Sequence, residues 1–404
     1  MTTEQDILKR ALSKDKRFGY LPEKDRHYTA PMDNDLRFAV IGTGIMGLEH
    51  IRITEMEGRA RITAVWDPNP AGIAAAVQTV KLIDPSREVK IYKSIEEVAS
   101  DPETDGLIIC TPNYTHLDVL KKLASTGKHI LMEKPMATTV HDAMEIRKIA
   151  EKYPAVFQLG LQYRFKAPYV EAYRDVMTQE LLGDVKMINI AERRIPFLDK
   201  VGQWNKQSRY SGGTLVEKCC HYFDIFNLFA GSKPVRVTAS GGQDVNFRDF
   251  EYDGVRSDIL DNAFVIVDYE NRVRACFNLC MFSPLFFEEL VVCGEKGTLR
   301  TWEQEDFMSN DGLQTGYELF CGENGPSRKG SPQYPKMIES SGHSGATFYE
   351  HMYFVDNIRG AKTLTATAEE GFWSVVVGAA AEESVRTGKP VMVERMLKNA
   401  GIRL

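Results

Sequence analysis

The sequence has no long hydrophobic run, no basic block and no cysteine pair at metal-binding spacing. The longest apolar segment, GFWSVVVGAAA, covers only residues 371–381, well short of the roughly 20 residues that a membrane-spanning helix needs. The 404-residue chain carries a formal net charge of −6, and without a block rich in lysine and arginine we expect no nucleic-acid partner. Membrane proteins and nucleic-acid-binding proteins are therefore both disfavoured.

The seven cysteines show no C-x-x-C spacing, which argues against a zinc site. The adjacent Cys219, Cys220 and His221 are a poor ligand set as well, because neighbouring helical residues point about 100° apart. An odd number of cysteines and a charged N-terminus without an apolar segment favour reduced thiols and a cytoplasmic protein. We expect no bound metal.

Strand and helix patterns alternate in the first part of the chain and change after residue 160. From 36 to 160, apolar runs such as LRFAVI, DGLIICTP and HILMEKP alternate with helical segments, which predicts a doubly wound parallel sheet with helices on both faces. Beyond 160, helices at 168–182 and 214–230 are followed by longer strands, among them EELVVCGEKGTLR. Hairpin-like breaks between these strands predict a mostly antiparallel sheet.

Three glycines in the order G-x-G-x-x-G follow the first apolar run. Gly42, Gly44 and Gly47 come directly after LRFAVI and open a helical pattern, and Asp67 ends the next strand. This arrangement is typical of a dinucleotide-binding Rossmann fold, although a purely structural turn is the alternative. We expect cofactor contacts from Gly42, Gly44, Ile45, Met46, Gly47 and Asp67.

Asp67 also indicates which dinucleotide is bound. Its carboxylate can accept hydrogen bonds from ribose hydroxyls and would repel a 2′-phosphate. Pro68 and Asn69 follow it, so no adjacent arginine could hold that phosphate. The sequence therefore predicts NAD as the cofactor and disfavours NADP.

The strand HILMEKP ends in a lysine. Glu133-Lys134-Pro135 places an ammonium group at the carboxyl edge of the predicted sheet, where ligands bind in this fold. Proline would fix the chain at this point, for example through a cis bond, and so aim the lysine. Considered alone, a lysine at a strand end is more typical of a solvated surface charge.

The stretch GGTLVEKCCHYFDIFNLFAG at 212–231 carries a second set of reactive side chains. Glu217 and His221 are four residues apart, so they share one face of a helix. Asp224 lies three residues further along and could orient the imidazole of His221. Considered alone, His221 is more typical of a packed core histidine than of a catalytic one.

The order of these motifs resembles one enzyme family. A glycine turn, T-P-N-x-x-H at 111–116, E-K-P at 133–135 and a Gly-Gly helix follow one another along the chain. The set resembles the Gfo/Idh/MocA family of glucose–fructose oxidoreductases, inositol dehydrogenases and rhizopine-catabolism proteins, over roughly 36–395. The resemblance implies a Rossmann domain, an α/β domain with a large open sheet, and NAD(P)-linked chemistry on sugars, cyclitols or related polyols.

The resemblance also implies a domain plan and an assembly. We expect an N-terminal arm at 1–35, an NAD-binding Rossmann domain at 36–160, and a domain for substrate binding and oligomerisation at 161–404. Because the open sheet of this family often forms contacts between subunits, we expect a homodimer or homotetramer.

Individual residues match the family's functional positions. Lys134 and His221 match its catalytic lysine and histidine, and Glu217 stands where the family usually has aspartate. The segments beside the nicotinamide correspond to Thr111, Pro112, Asn113, His116, Glu133 and Lys134. Substrate contacts are expected from Tyr163, Arg164, Arg193, Arg194, Trp204 and Lys218. The family pattern is not followed at Thr214, Lys218 and Cys219.

These residue types define a mechanism. A neutral histidine can take the hydroxyl proton of a secondary alcohol, and a lysine can stabilise the developing alkoxide. We expect an NAD-dependent dehydrogenase of a sugar, cyclitol or sugar derivative. NAD-dependent glycoside hydrolysis, through transient C3 oxidation, elimination and re-reduction, would use His221, Lys134 and a further acid–base group, and it stays open. A non-catalytic NAD-binding regulator is a further alternative.

Overall fold

The computed structural model describes residues 34–306, 308–309, 311–323 and 325–403. All but the last two residues of the predicted N-terminal arm, 1–35, lie outside these ranges. In the part of the chain that the structure describes, we find no helix whose length and apolar character would suffice to cross a bilayer.

The first sheet has six parallel strands in the order β3-β2-β1-β4-β5-β6, which is the strand order of a doubly wound dinucleotide-binding fold. The strands are β1 (Leu36–Ile41), β2 (Ala60–Trp66), β3 (Lys90–Ile91), β4 (Gly106–Ile109), β5 (His129–Glu133) and β6 (Phe157–Gly160). The helices between them are α1 (Ile45–Glu57), α2 (Pro70–Ile83), α3 (Ile95–Ser100), α4 (His116–Leu123) and α5 (Val140–Glu151). The predicted parallel sheet is confirmed.

Local sequence signals start three of these helices. The side chain of Asn69 accepts a hydrogen bond from the backbone of Ala71 at the start of α2, where Pro70 occupies the first helical position. Ser94 and Thr139 cap α3 and α5 in the same way. Such caps satisfy backbone N–H groups that have no partner within the helix.

The second sheet has nine strands in the order β16-β15-β14-β13-β7-β12-β11-β8-β17. Only the pair β7 and β12 is parallel, so the prediction of a mostly antiparallel sheet is confirmed. The strands are β7 (Val185–Arg193), β8 (Pro234–Gly242), β11 (Asn262–Tyr269), β12 (Arg274–Cys280), β13 (Leu285–Gly294), β14 (Thr298–Asp306), β15 (Gln314–Phe320), β16 (Ser327–Gly330) and β17 (Val391–Met392). A separate hairpin pairs β9 (Glu251–Tyr252) with β10 (Val255–Arg256).

Helices cover one face of this sheet and leave the other face open. The helices of this part are α6 (Ala167–Tyr173), α7 (Ser208–Ser211), α8 (Thr214–Glu217), α9 (Cys220–Ala230), α10 (Lys336–Glu339), α11 (Ala346–Ile358), α12 (Ala368–Thr387) and α13 (Val393–Asn399). Along β11, Ala263, Val265 and Val267 are buried, while Phe264 and Ile266 are 64% and 47% exposed. This alternation is that of a strand with one covered and one uncovered face.

Three expectations about single elements are wrong in detail. The predicted helix at 214–230 is broken after α8, because the N–H of Cys219 bonds to the Thr214 carbonyl and a new helix then begins. The segment EELVVCGEKGTLR is not one strand, since a turn closed by the Gly294 N–H and the Gly297 carbonyl divides it into β13 and β14. The helix predicted at 168–182 ends as a π-helical turn, Arg174–Thr178.

Candidate functional site

The glycine turn forms where β1 ends and α1 begins. Gly42 has a φ of +92°, and a Cβ built on it would lie 2.7 Å from a backbone carbonyl of the segment after β4. A Cβ on Gly47 would lie 2.1 Å from the Gly42 carbonyl oxygen, whereas one on Gly44 would meet nothing within 4 Å. The turn opens at a helix N-terminus without a side-chain cap, next to Ile45 and Met46. These features fit the pyrophosphate of a dinucleotide.

Asp67 is held beside this turn. At the end of β2, its carboxylate accepts hydrogen bonds from the backbone N–H groups of Thr43, at 2.6 Å, and Asn69, at 2.7 Å. The hydroxyl of Thr43 donates a further bond at 3.1 Å. The carboxylate therefore has a fixed position at the strand end from which this fold binds ribose hydroxyls.

The predicted loop at 111–116 packs against the strand end that carries Lys134. His116 is buried, and its ring nitrogens lie 2.9 Å from the Thr111 carbonyl oxygen and 3.0 Å from the Pro135 carbonyl oxygen. Burial lowers the pKa of His116, and the neutral ring that this favours can donate a hydrogen bond to only one of the two carbonyls. Asn113 is buried, and its Nδ2 has no hydrogen-bond partner within the described ranges, which leaves a donor for a ligand.

Glu133 bonds to a histidine of α1, the helix that follows the glycine turn. Its side chain is buried, and His50 Nε2 lies 2.8 Å from Glu133 Oε1. His50 Nδ1 lies 2.6 Å from His351 Nε2, in the same buried network. Burial raises the pKa of Glu133, but the hydrogen bond and charge of His50 outweigh this and lower it. Neighbouring strand residues point to opposite faces. Of the two, Lys134 alone reaches the cleft, the region between the two halves of the chain where Glu217 and His221 lie.

Glu350 adjoins this network, but its carboxyl group makes no hydrogen bond within the described ranges. His50, Glu133 and Glu350 bring ligand-type atoms within 4.8 Å of one another, but His50 and Glu133 already bond to each other. Both carboxylate oxygens of Glu350 are buried and lack partners in the described part of the chain. Burial, followed by the charge of Glu133, raises the pKa of Glu350 well above its ordinary value. These surroundings therefore favour the neutral, protonated form of Glu350.

Replacing Glu350 with glutamine should stabilise the protein in a pH-dependent way. A carboxyl whose pKa is raised by folding gives its full stability below the unfolded pKa, about 4.3, and loses stability as the pH rises toward the folded pKa. The neutral amide has no such loss, so Glu350→Gln should raise the melting temperature by roughly 2–4 °C at pH 8, about what 1 kcal/mol produces. The gain should vanish near pH 4.

Thermal melts between pH 4 and pH 8 measure this effect. Glu151→Gln, at the exposed end of α5, is the control and should change nothing. A melting temperature that fell in Glu350→Gln, or a gain that did not vary with pH, would contradict the neutral state of Glu350.

Lys134 contacts the second half of the chain. It precedes a cis peptide bond to Pro135, and its Nζ donates to the Glu217 carbonyl oxygen at 3.0 Å and lies 3.7 Å from Glu217 Oε1. Lys200 Nζ donates to the same Oε1 at 3.0 Å. Burial raises the pKa of Glu217, but the charges of Lys134 and Lys200 lower it to about 2. Burial lowers the pKa of Lys134, but Glu217 more than offsets this, so both side chains are ionised.

His221 stacks on Tyr163, with the ring centroids 3.9 Å apart and the planes 7° from parallel. The Tyr163 hydroxyl accepts a hydrogen bond from Lys218 Nζ at 2.6 Å, and Lys218 Nζ lies 3.1 Å from Glu192 Oε1. Burial, and then the charges of Lys134 and Lys218, lower the pKa of His221 well below its ordinary value. The imidazole is neutral, and its buried Nδ1 has no hydrogen-bond partner among the residues that the structure describes.

Two predicted substrate contacts have other surroundings. Arg164 is buried and forms two hydrogen bonds of 2.5 Å to the carboxylate of Asp224. That pairing also shows the expected contact between Asp224 and His221 to be wrong. Arg193 is exposed and lies 5.1 Å from the centroid of the Phe287 ring, on the opposite face of β7 from Glu192. Neither arginine belongs to the cluster around His221, which consists of His221, Tyr163, Lys218 and Glu192.

Arg194 and Trp204 border the cluster. Arg194 lies 3.6 Å from Glu192 Oε1. Trp204 is buried, with Lys200 Nζ 4.5 Å from its ring centroid. The exposed Tyr114, between Asn113 and His116 in the chain, meets Trp204 edge-on at a centroid distance of 6.4 Å. An aromatic surface therefore adjoins the Glu217 side of the cleft.

Sequence reasoning missed Glu192, Lys200 and Tyr114 as neighbours of the cluster. Glu192 could have been found, because the period of two in β7 places it opposite to Arg193. Tyr114 stands inside the T-P-N-x-x-H motif, at a position the motif leaves variable. Lys200 lies in an irregular segment before Val201–Lys206, and no pattern in the sequence marks it.

Comparison with known proteins agrees with this arrangement. The sequence model of the Gfo/Idh/MocA family, an oxidoreductase family with an NAD-binding Rossmann fold, matches residues 36–161. The model of the C-terminal alpha/beta domain of that family matches residues 174–393. The chain belongs to the Gfo/Idh/MocA family. The protein is thus a member of an NAD-binding oxidoreductase family, as the motif order implied.

Curated relatives and solved structures of the family include several polyol enzymes. The inositol 2-dehydrogenase of Rhizobium meliloti (strain 1021) is 30% identical over 51% of this chain and 58% of its own length, so the chain spans about three fifths of that relative. The scyllo-inositol 2-dehydrogenase (NAD(+)) of Bacillus subtilis (strain 168) is 24% identical over 90% of this chain and 98% of its own. A levoglucosan dehydrogenase in complex with NADH and levoglucosan has a TM-score of 0.71, at 16% identity, over 89% of this chain and 99% of its own.

Proposed function

We propose that this protein is an NAD-dependent dehydrogenase that oxidises a secondary alcohol of a sugar or cyclitol. The observation that supports this most is the meeting of Lys134, from the sheet of the glycine turn, with Glu217 and His221 from the second half of the chain. Relatives named for inositol and levoglucosan suggest a polyhydroxylated ring as substrate. Substrate contacts from Tyr163, Lys218 and Arg194 are part of the same proposal.

The residues of the cleft would divide the work between them. A bound nicotinamide supplies the acceptor for the hydride. His221, neutral because of its lowered pKa, accepts the hydroxyl proton of the substrate. Lys134, ionised beside Glu217, donates a hydrogen bond to the same oxygen and stabilises its negative charge. Lys134 and Lys218 both depress the basicity of His221, but they also acidify the substrate hydroxyl that faces them.

A substrate panel tests the proposal. The full-length protein is incubated with NAD and with inositols, aldoses, anhydrosugars and aryl glycosides, while absorbance at 340 nm and aglycone release are recorded. Stoichiometric NADH formation with one class of polyol is the expected result. Aglycone release without net NADH would instead support the redox-neutral glycosidase, and NAD binding without either reaction would support the regulator.

Asp67 should make the protein selective for NAD over NADP. Its fixed carboxylate would repel a 2′-phosphate, so calorimetry should show much weaker binding of NADP than of NAD. Asp67→Ala should weaken NAD by roughly 10-fold, as the loss of a charged hydrogen bond does, and reduce the discrimination. Asp84→Ala, after α2, is the control and should bind both cofactors as the wild type does. Equal affinities in the wild type would contradict the role of Asp67.

We also propose that two copies associate through the open face of the nine-stranded sheet. Phe264 and Ile266 on this face are exposed in one copy, and burying them against a second sheet would remove apolar surface from water. Phe264→Glu should shift the protein to monomers in light-scattering measurements at micromolar concentration. Leu82→Glu, a 75% exposed residue on α2, should leave the assembly intact. A monomeric wild type would contradict a homodimer or homotetramer.

A further inference from the structure

A histidine–carboxylate pair links α1, the helix after the glycine turn, to the segment before α11. This pair has no part in the mechanism given so far. His343 belongs to the short segment His343–Gly345 that leads into α11. Its Nδ1 lies 2.7 Å from Oε1 of Glu49, which is on α1, two residues after Gly47. Thr347 donates a hydrogen bond to the same oxygen at 2.8 Å. The pair therefore joins the helix that begins at the glycine turn to the start of α11.

The backbone around His343 holds an uncommon conformation. His343 and Ser344 have φ values of +44° and +55°, a left-handed region that few non-glycine residues occupy. A Cβ on Gly342 would lie 2.7 Å from the Glu49 carboxyl carbon, so the loop approaches that side chain closely. The Gly345 N–H bonds to the Gly342 carbonyl at 2.9 Å and closes the turn. Non-glycine residues held in this way concentrate at functional sites.

The hydrogen bond determines which nitrogen of His343 carries the proton. Burial raises the pKa of Glu49, but the hydrogen bond and charge of His343 and the hydroxyl of Thr347 lower it to about 2. The carboxylate is therefore ionised and can only accept hydrogen bonds. His343 Nδ1 therefore donates to Glu49, which leaves Nε2 as the ring nitrogen that can exchange a proton with a ligand. No hydrogen bond joins Nε2 to any part of the chain that the structure describes, and the side chain is 31% exposed.

His343 lies close to the cluster around His221. Its ring centroid is 6.5 Å from that of Tyr163, the same ring on which His221 stacks at 3.9 Å. The charge of His343 is also among the causes that lower the pKa of His221. The two histidines thus adjoin one tyrosine, and Nε2 of His343 has no hydrogen-bond partner among the residues that the structure describes.

We propose that His343, positioned by Glu49, is a second proton-transfer residue of this cleft and acts on the carbon next to the substrate carbonyl. The proposal rests on the proposed function only in that the cleft takes a ketone of a sugar or cyclitol. In the form without a proton on Nε2, His343 removes a proton from the neighbouring carbon, and the C–H electron pair forms a C=C bond as the carbonyl pair moves to oxygen. Lys134 stabilises the enolate oxygen. Return of a solvent-derived proton from His343 to carbon restores the ketone.

The experiment is hydrogen exchange on a ketone without cofactor. The full-length protein is incubated in D2O with 2-keto-myo-inositol or a 3-keto-glucoside, in the absence of NAD, and deuterium incorporation beside the carbonyl is followed by NMR. The wild type should exchange this position at least 10²-fold faster than buffer at the same pD. His343→Gln should lower the maximal exchange rate by at least ~10²-fold with less than ~3-fold change in the KM for the ketone.

Matched variants separate proton transfer from folding and from binding. Glu49→Gln should lower exchange about 10-fold, and should cost nothing further in the His343→Gln background, because Glu49 acts through the imidazole. His141→Gln, which removes an exposed histidine paired with Asp142 at 3.3 Å, should exchange as the wild type does. Melting temperatures identify any variant that fails to fold, and His343→Asn then takes the place of His343→Gln.

Three results would overturn the proposal. They are no exchange above buffer in the wild type, full exchange in a folded His343 variant, and a loss that lies entirely in KM. Because NAD is absent, these outcomes are independent of hydride transfer. A protein that exchanges the ketone but never forms NADH from any polyol would refute the proposed dehydrogenase and leave the role of His343 intact.

Discussion

Replacing Lys134 with methionine should lower the turnover of the polyol oxidation by ~10²–10³-fold, the cost of removing one donor that stabilises an oxyanion. The substitution keeps most of the length of the side chain but removes its charge. Glu217 would keep its ion pair with Lys200 Nζ, at 3.0 Å. NAD affinity should remain nearly unchanged, because the glycine turn and Asp67 would still bind the dinucleotide. Steady-state kinetics and calorimetry on the same preparation measure both quantities.

Lys128 provides the matched control for Lys134. It precedes β5, and its Nζ donates to the backbone carbonyls of Asp101 and Thr104, at the opposite end of the strand from Lys134. Lys128→Met therefore removes a partly buried lysine from the same sheet without touching the cleft. It should lower the melting temperature and leave turnover intact. Near-normal turnover in Lys134→Met would remove Lys134 from the mechanism.

The parts of the site that depend on local sequence could be predicted. The glycine turn, Asp67 and the strand that ends at Lys134 each follow from a short pattern, because a turn, a helix start and a strand end are decided within a few residues. The fold class was predictable for the same reason, since alternating strand and helix patterns dictate a parallel sheet. The parallel sheet is confirmed, and the glycine turn follows β1, one of its two central strands.

Contacts between distant segments could not be predicted in this way. Arg164 and Asp224 are 60 residues apart and meet only because α9 packs beside the segment that follows β6. Glu49 and His343 are 294 residues apart, and neither lies in a motif that points to the other. Composition and spacing contain no information about such pairs, which are set by how the two sheets pack.

Two of the predicted contacts concern residues that alternate along a strand. Arg193 is predicted to bind substrate and Glu133 to contact the cofactor, and both stay predictions. In an extended chain, however, neighbours point to opposite faces. The period of two therefore places Glu192 rather than Arg193 near Lys218, and directs Glu133 toward His50 while Lys134 enters the cleft. Adjacency in sequence is a poor guide to a shared site in strands.

His221→Phe should lower turnover by ~10²–10⁴-fold, the usual contribution of a general base. The phenyl ring can keep the stacking on Tyr163, where the imidazole lies at 3.9 Å, but it has no nitrogen to accept a proton. If His221 served only for packing, the same variant would retain turnover, and only its melting temperature would change. Turnover and melting temperature measured together on His221→Phe and His221→Ala therefore distinguish a base from a core residue.

The double variant Lys134→Met/His221→Phe tests whether the two side chains act on one oxygen. Groups that act as a unit in the transition state are non-additive, so the double substitution should cost less than the product of the two single losses. Independent roles, such as binding by Lys134 and packing by His221, would instead give multiplicative losses. The charge of Lys134 lowers the pKa of His221. Lys134→Met should therefore raise that pKa and move the acidic limb of the pH–rate profile to higher pH. A profile that did not move would mean that the two groups do not share the reacting oxygen.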